Sequence, residues 1–188
     1  ADLASSYAQP SESLPSSSKP TDVPATALPG IAAIAAIATA APPATYIIEL
    51  SLSAVTGVSS GIGEGVLKYF VSQGFHVFGS VRNRKDAQKI KKAYGENCTP
   101  IIFDVTKENQ IKSAAALVKK KLKNENILAL VNNSGIAIGG PLLHQKTKDF
   151  EKQIDVNLNG MFRVIKHFAP LCGAQKNNTF KKGVIFNI

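Results

Sequence analysis

The run Thr56-Gly57-Val58-Ser59-Ser60-Gly61-Ile62-Gly63 sets three glycines at fixed offsets between a short apolar stretch and a segment with helical patterning. Each glycine has a separate job in such a turn. Gly57 permits a tight bend, Gly61 lets the backbone approach a pyrophosphate, and Gly63 lets helix and strand pack closely, while the unpaired amides at the helix start face the anion. The chemistry is that of a phosphate cradle, with Thr56, Ser59, Ser60 and Ile62 as further candidate contacts. A glycine-rich turn that binds nothing would show the same residues, so the placement between strand and helix is what favours the cradle.

A second set stands about 20 residues on, in Gly79-Ser80-Val81-Arg82-Asn83-Arg84-Lys85. Where a dinucleotide lies on such a turn, a carboxylate here would bind the ribose hydroxyls of NAD, and an arginine would accommodate the 2′-phosphate of NADP. No carboxylate is present. A guanidinium can grip a phosphate with two parallel hydrogen bonds, so Arg82 is the main candidate, with Arg84 or Ser80 assisting, and the expected cofactor is NADP. Arg84 fits equally well as the solvated opening of the next helix.

These residues need a scaffold. Candidate strands are 50–56, 75–81, 100–103, 127–131 and 183–188, and candidate helices lie near 61–73, 84–94, 107–123, 147–155 and 156–172. Ile111, Ala115, Val118 and Leu122 recur at helical spacing, as do Leu158, Met161, Phe162, Ile165, Phe168 and Ala169, and both faces read as core. Strands alternating with helices imply a parallel sheet covered on both faces, with ligands bound at the carboxyl ends of its strands. One strand departs from this pattern. Leu50-Ser51-Leu52-Ser53-Ala54 alternates like a half-exposed strand, which suggests that the domain sequence proper begins near Ala54.

Three further motifs appear in order: Asp104-Val105 after the third strand, Asn132-Asn133-Ser134-Gly135 after the fourth, and Asn157 within Val156-Asn157-Leu158-Asn159-Gly160. Together with the glycine turn they resemble the short-chain dehydrogenase/reductase family from about Ala54 to Ile188. The resemblance implies an α/β Rossmann-type doubly wound parallel sheet, here incomplete, with about five strands in the order 3-2-1-4-5. It further implies that Asp104 and Val105 contact the adenine, that Asn132, Asn133 and Gly135 steady the central strand and line the cofactor, and that Asn157 is catalytic. Ser134 stands where the family usually has alanine. The implied activity is NADP-dependent hydride transfer to or from a ketone, aldehyde or alcohol, by an enzyme that is a homo-oligomer when complete.

Family chemistry also needs a tyrosine whose pKa is lowered by a lysine four residues later on the same helix face. Here the residues four positions after Tyr7, Tyr46, Tyr69 and Tyr94 are Ser11, Leu50, Gln73 and Cys98. The catalytic serine, tyrosine and lysine are therefore expected beyond Ile188, and a chain of this extent is expected to hold a dinucleotide without turning it over. The alternative is a non-catalytic NADP-binding module. Truncation at the fifth strand would leave an unpaired edge and favour self-association.

Composition bounds the remainder. At 188 residues the chain allows one domain and a tail. Residues 1–45 are rich in Ser, Ala, Pro and Thr and are expected to be disordered, leaving 46–188 as the partial dinucleotide-binding domain. The apolar run Ile31–Ala41 is too short to span a bilayer, so no membrane span is expected. Lys19 is the only base in 1–45 against Asp2, Glu12 and Asp22, so the +9 of the whole chain becomes +11 over the remainder. Such a balance suits anionic ligands. No aromatic residues interleave the lysine runs 91–92, 119–121 and 181–182, which argues against a nucleic-acid partner and for solvated faces. His76, His144 and His167 have no partner at ligand spacing, so no metal site is expected. Cys98 and Cys172 make no disulfide framework, and the Asn132 sequon falls in the cofactor turn, both of which favour an intracellular, cytoplasmic address, with the targeting role of the tail left open.

Overall fold

A computed structural model describes residues 51–123, 125–176 and 181–188. The expected disordered tail lies outside these residues, as do positions 46–50 of the expected domain. Five strands form one sheet: β1 (Leu52–Val55), β2 (His76–Val81), β3 (Cys98–Ile102), β4 (Ala129–Asn132) and β5 (Val184–Asn187). Their order is β3-β2-β1-β4-β5 and every pairing is parallel. The parallel sheet is what the alternation of strands and helices predicts, and its order is the Rossmann-type one that the family resemblance implies. The helices are α1 (Gly61–Ser72), α2 (Arg84–Tyr94), α3 (Glu108–Leu122), α4 (Thr147–Ile154) and α5 (Gly160–Phe168).

Alternate strand residues feed two cores, because successive side chains of a strand point to opposite faces. Val55, Val77 and Val131 pack on one face with Leu67 and Phe70 of α1 and Ile90 of α2. Ala54, Phe78 and Leu130 pack on the other with Ile111 and Val118 of α3 and Val164 and Phe168 of α5. Buried positions Gly63, Val66, Leu67 and Phe70 of α1 follow the helical period. Helix α2 begins where Asn83 caps it, its side-chain oxygen accepting from the Asp86 amide at 2.9 Å. Pro100 is tolerated in β3 because that strand lies at the sheet edge.

Two expectations are corrected here. β1 is buried along its whole length, Ser53 included, because it is the central strand with neighbours on both sides and a helical layer over each face. The Ser53 hydroxyl makes no hydrogen bond in that core. A buried hydroxyl without a partner carries an uncompensated desolvation cost, so Ser53→Ala is expected to raise unfolding stability by about 1 kcal/mol. Equilibrium denaturation by urea measures this.

Leu158 and Phe162 do not join the core; both are exposed. The chain between α4 and α5 does not break but passes through a single π-helical segment, Asp155–Asn159. Gly160 then sits so close to Val105 that a Cβ there would stand 2.7 Å from Val105 Cγ2. That contact fixes the helix rotation, burying Gly160, Val164 and Phe168 and turning the 158/162 side outward.

The α5 layer is also held by charge. Arg163 bonds the Asp155 carboxylate at 2.6 Å, and Lys166 and His167 both reach Glu108 of α3, at 2.9 and 3.0 Å. The Arg163 bond holds the Asp155 carboxyl below its ordinary value, and Lys166, followed by His167, does the same for Glu108. A group whose pKa is depressed on folding contributes stability above its unfolded pKa and loses it as pH falls through the folded value. The melting temperature is therefore expected to decline as pH drops below about 4, the ordinary carboxylate range, and Arg163→Met is expected to flatten that decline. Thermal melts across an acid series read both.

Candidate functional site

The carboxyl ends of β1, β2 and β4 meet around the glycine turn. Thr56 continues the β1–β4 ladder, its amide donating to the Val131 carbonyl at 2.9 Å. Its hydroxyl oxygen accepts from the amides of both Asn133 and Ser134, each at 2.9 Å. Asn133 answers through its side-chain amide, which donates to the carbonyls of Thr56 and Gly57 at 3.0 and 3.3 Å. The turn after β1 and the turn after β4 are thus one bonded unit.

Gly57 has φ +73°, a left-handed conformation that only glycine adopts readily. Its amide donates to the Ser80 hydroxyl at 3.1 Å, and the Val58 amide donates to the Ser80 carbonyl at 3.0 Å, which ties the turn to β2. Ser80 is buried, so it acts here as a brace of the turn. A Cβ on Gly63 would run into the Gly57 carbonyl oxygen and the Asn133 side-chain amide. Gly61 is the reverse case: φ is +61° and a Cβ would meet nothing within 4 Å. The backbone there faces open space.

Helix α1 starts under that space. Its first bond runs from the Glu64 amide to the Ser60 carbonyl at 3.4 Å, so the amides of Gly61, Ile62 and Gly63 precede the ladder. Ser60 gives no side-chain cap. Uncapped amides at the positive end of a helix dipole form an anion site. Ser59 is partly exposed, and Ser60 and Ile62 are exposed, beside it.

Arg82 follows β2 and is exposed, and it forms no salt bridge among the described residues. Arg84, exposed in the first turn of α2, is placed as its solvated alternative requires. Asp104 lies after β3, where its carboxylate accepts from the Thr106 amide at 2.8 Å and the Thr106 hydroxyl at 2.7 Å. Its partial burial favours the neutral acid, but the Thr106 bonds and the charges of Arg82 and Lys107 together outweigh that and hold the carboxyl below its ordinary value. The next residue, Val105, is buried against Gly160.

The Asn132-Asn133-Ser134-Gly135 motif divides its work. Asn132 turns away from the glycine turn and donates to the Asn187 side chain on β5 at 2.9 Å, while its own side-chain oxygen is buried without a partner. Only Asn133 and Ser134 touch the turn. Asn157 lies in the π-helical segment and clamps the loop after Gly135: its oxygen accepts from the Ile136 amide and its amide donates to the Ile136 carbonyl, both at 2.8 Å. Asn187, Gln145 and Gln153 also belong to this framework, the glutamines bonding the backbone of Ile138 at 3.0 and 2.8 Å. Their spacing in sequence gives no sign of it.

The short chain dehydrogenase profile matches residues 52–188. The chain belongs to the short-chain dehydrogenase family. The match begins two residues ahead of the start expected from the serine alternation, in keeping with the burial of Ser53. Among curated relatives, the NADPH-dependent 3-dehydrocapnine reductase of Ornithobacterium rhinotracheale is 33% identical over 131 residues, covering 70% of this chain and 46% of that protein. Short-chain dehydrogenase/reductase family 9C member 7 of Homo sapiens is 34% identical over 118 residues, 62% of this chain and 38% of that protein. Among solved structures, the NADPH-bound carbonyl reductase from chicken fatty liver superposes with a TM-score of 0.67 at 28% identity, covering 74% of this chain and 56% of that one. The chain spans about half the length of the curated relatives it matches.

Because both polar groups of Asn157 are spent on one backbone unit, its replacement tests the clamp. Asn157→Leu is expected to cost about 1–2 kcal/mol and to speed hydrogen exchange at the Ile136 amide. Exchange measured at unaffected β4 amides provides the internal reference. Among the described residues no cluster of His, Cys, Asp and Glu could hold a metal, and no helix is long and apolar enough to cross a membrane. Burial pushes the thiols of Cys98 and Cys172 up to about 11, so neither is a nucleophile at neutral pH.

Proposed function

We propose that this chain binds NADP(H) at the carboxyl ends of β1, β2 and β3, and that the protein is an oxidoreductase acting on a ketone, aldehyde or alcohol. The observation that carries the reading is the juxtaposition of uncapped α1 amides, open space above Gly61 and an arginine at the end of β2 that forms no ion pair among the described residues. The residues fit the group. The amides of Gly61, Ile62 and Gly63 would face the pyrophosphate, with Ser59 and Ser60 at its rim and Thr56, Gly57 and Ser80 holding the turn in shape. Arg82, with Arg84 in reserve, would pair the 2′-phosphate, while Asp104 and Val105 would border the adenine. Asn132, Asn133 and Gly135 would support the nicotinamide side, and Asn157 would act as a positioning residue through Ile136.

The bound cofactor would carry the hydride. This chain's residues bind and orient it, and none of its four tyrosines is followed four positions on by lysine, so no proton transfer is assigned to them. A second reading is a dinucleotide-binding module without turnover. Fluorescence titration with NADPH and NADH, followed by assay of NADPH consumption with a panel of ketones and aldehydes, separates the two. Saturable NADPH binding supports both; carbonyl-dependent consumption supports the first alone. No saturable NADPH binding removes both.

Self-association is part of the proposal. Phe150, Ile154, Leu158 and Phe162 form an exposed stripe at every fourth position through α4 and α5, a face suited to another copy of the protein. Light scattering is expected to return a mass above that of one chain.

A further inference from the structure

In a wholly parallel sheet every strand starts at the same end, and helices running back bring their C-termini to that end too. The basic residues gather there. The last turn of α2 holds Lys91 and Lys92, and that of α3 holds Lys119, Lys120 and Lys121. Lys181 and Lys182 lie just ahead of β5, where the Lys181 carbonyl is bonded by the Asn126 side chain at 2.9 Å, next to the α3–β4 connection. Lys91 and Lys121 both depress the pKa of His76 at the start of β2, after the larger effect of its burial, so the two helix ends converge beneath the same strand. All of these lysines are exposed. Among the described residues the only carboxylates at this end are Glu96, already bonded to Lys91 at 2.8 Å, and Glu125.

Lysine in a last helical turn complements the helix dipole, which accounts for Lys91 bonding the Gly95 carbonyl. It does not account for Lys176, Lys181 and Lys182, which lie outside the helices. Four separate segments thus place positive charge on one face, at the end of the sheet opposite the proposed cofactor crevice. We propose that this face docks the protein onto an anionic lipid bilayer with the crevice pointing away from it.

Three observations favour a bilayer over nucleic acid. The face is built only from lysine, a point charge that suits a diffuse anionic surface, while Arg82, Arg84 and Arg163, whose planar forks suit phosphodiesters, all lie elsewhere. Beside these lysines Tyr94 is half-buried in the last turn of α2, and among the described residues no row of exposed aromatic rings accompanies them for bases to stack on. The chain also enters the fold at this end, through β1, and the apolar run Ile31–Ala41 lies upstream of that entry in the sequence. A polybasic face supplies electrostatic attraction to anionic lipid, and buried apolar area adds to it.

The test is flotation of the 188-residue chain with phosphatidylcholine vesicles, with and without phosphatidylserine; aggregated protein sinks and does not interfere. The chain is expected to float only with the anionic vesicles and to be released by high salt. Replacing Lys119, Lys120 and Lys121 with glutamine is expected to lower partitioning at least tenfold, whereas removing the same charge at Lys146, Lys148 and Lys152 is expected to change it less than about threefold. NADPH titration of both variants verifies that they fold. Equal flotation with neutral vesicles, no flotation, or equal losses in the two variants overturns the proposal. So does mixed-sequence DNA that strips the chain from vesicles at equal phosphate concentration, which would mark a nucleic-acid face.

Discussion

Replacing Arg82 with alanine is expected to weaken NADPH binding about 10- to 100-fold while leaving NADH binding within about twofold, the loss of a charge-assisted bidentate contact to one phosphate. Arg82 stands at the end of β2, exposed, with no salt bridge among the described residues, and its charge helps to hold the Asp104 carboxyl, after β3, below its ordinary value. Nothing in the fold consumes the guanidinium, so its removal should not unfold the chain. Lysine at this position should recover part of the affinity, because charge returns but the planar fork does not. Parallel fluorescence titrations with the two dinucleotides give the ratio. Equal losses for both cofactors would mean that Arg82 acts on something other than the 2′-phosphate, and Arg84→Ala would then be the next variant.

Gly63→Ala is expected to destabilise the fold by about 3 kcal/mol or more and to abolish dinucleotide binding, because an added methyl has nowhere to go. A Cβ there meets the carbonyl of Gly57 and the side-chain amide of Asn133, and both are pinned by other bonds. Relief requires α1 to lift from β1, which opens the core at Val66, Leu67 and Phe70. Gly65, two residues along the same helix, is the control. A Cβ there meets nothing within 4 Å, so Gly65→Ala should stabilise the chain by up to about 1 kcal/mol through helix propensity. Opposite signs from one methyl two residues apart, read by urea denaturation, would locate the effect in the crossing of turn and helix.

The glycine turn was legible in the sequence because its constraints are local. Offsets between Gly57, Gly61 and Gly63 follow from the geometry of one bend and one helix start, and the structure gives each glycine the conformation or contact that offset requires. That the sheet is parallel was legible for a related reason, since alternation of strand and helix calls for right-handed crossovers, whereas its order followed only from the family resemblance. Ser53 was not. Alternating serines in 50–54 have the period of a half-exposed strand, and only the neighbours β2 and β4, more than 20 residues away, make β1 central and bury the hydroxyl.

The framework around the site was least legible where it depends on long-range bonds. That the Thr56 hydroxyl gathers the amides of Asn133 and Ser134, or that Ser80 braces Gly57, joins residues 77, 78 and 23 positions apart. Asn132 and Asn133 are adjacent and chemically identical, yet the strand period sends one toward Asn187 and the other toward the glycine turn. The outward turn of Leu158 and Phe162 likewise depends on a π-helical segment and on Gly160 meeting Val105, neither of which alters the apolar spacing that suggested a core.

The central claim is that the crevice above Gly61 receives a nicotinamide dinucleotide phosphate. A crystal of the chain grown with NADPH tests it most directly. The account predicts density for the pyrophosphate over the amides of Gly61 and Ile62, with the 2′-phosphate within hydrogen-bonding distance of Arg82. A fully occupied cofactor bound anywhere else on the surface, or a crevice that stays empty at saturating NADPH, would contradict it.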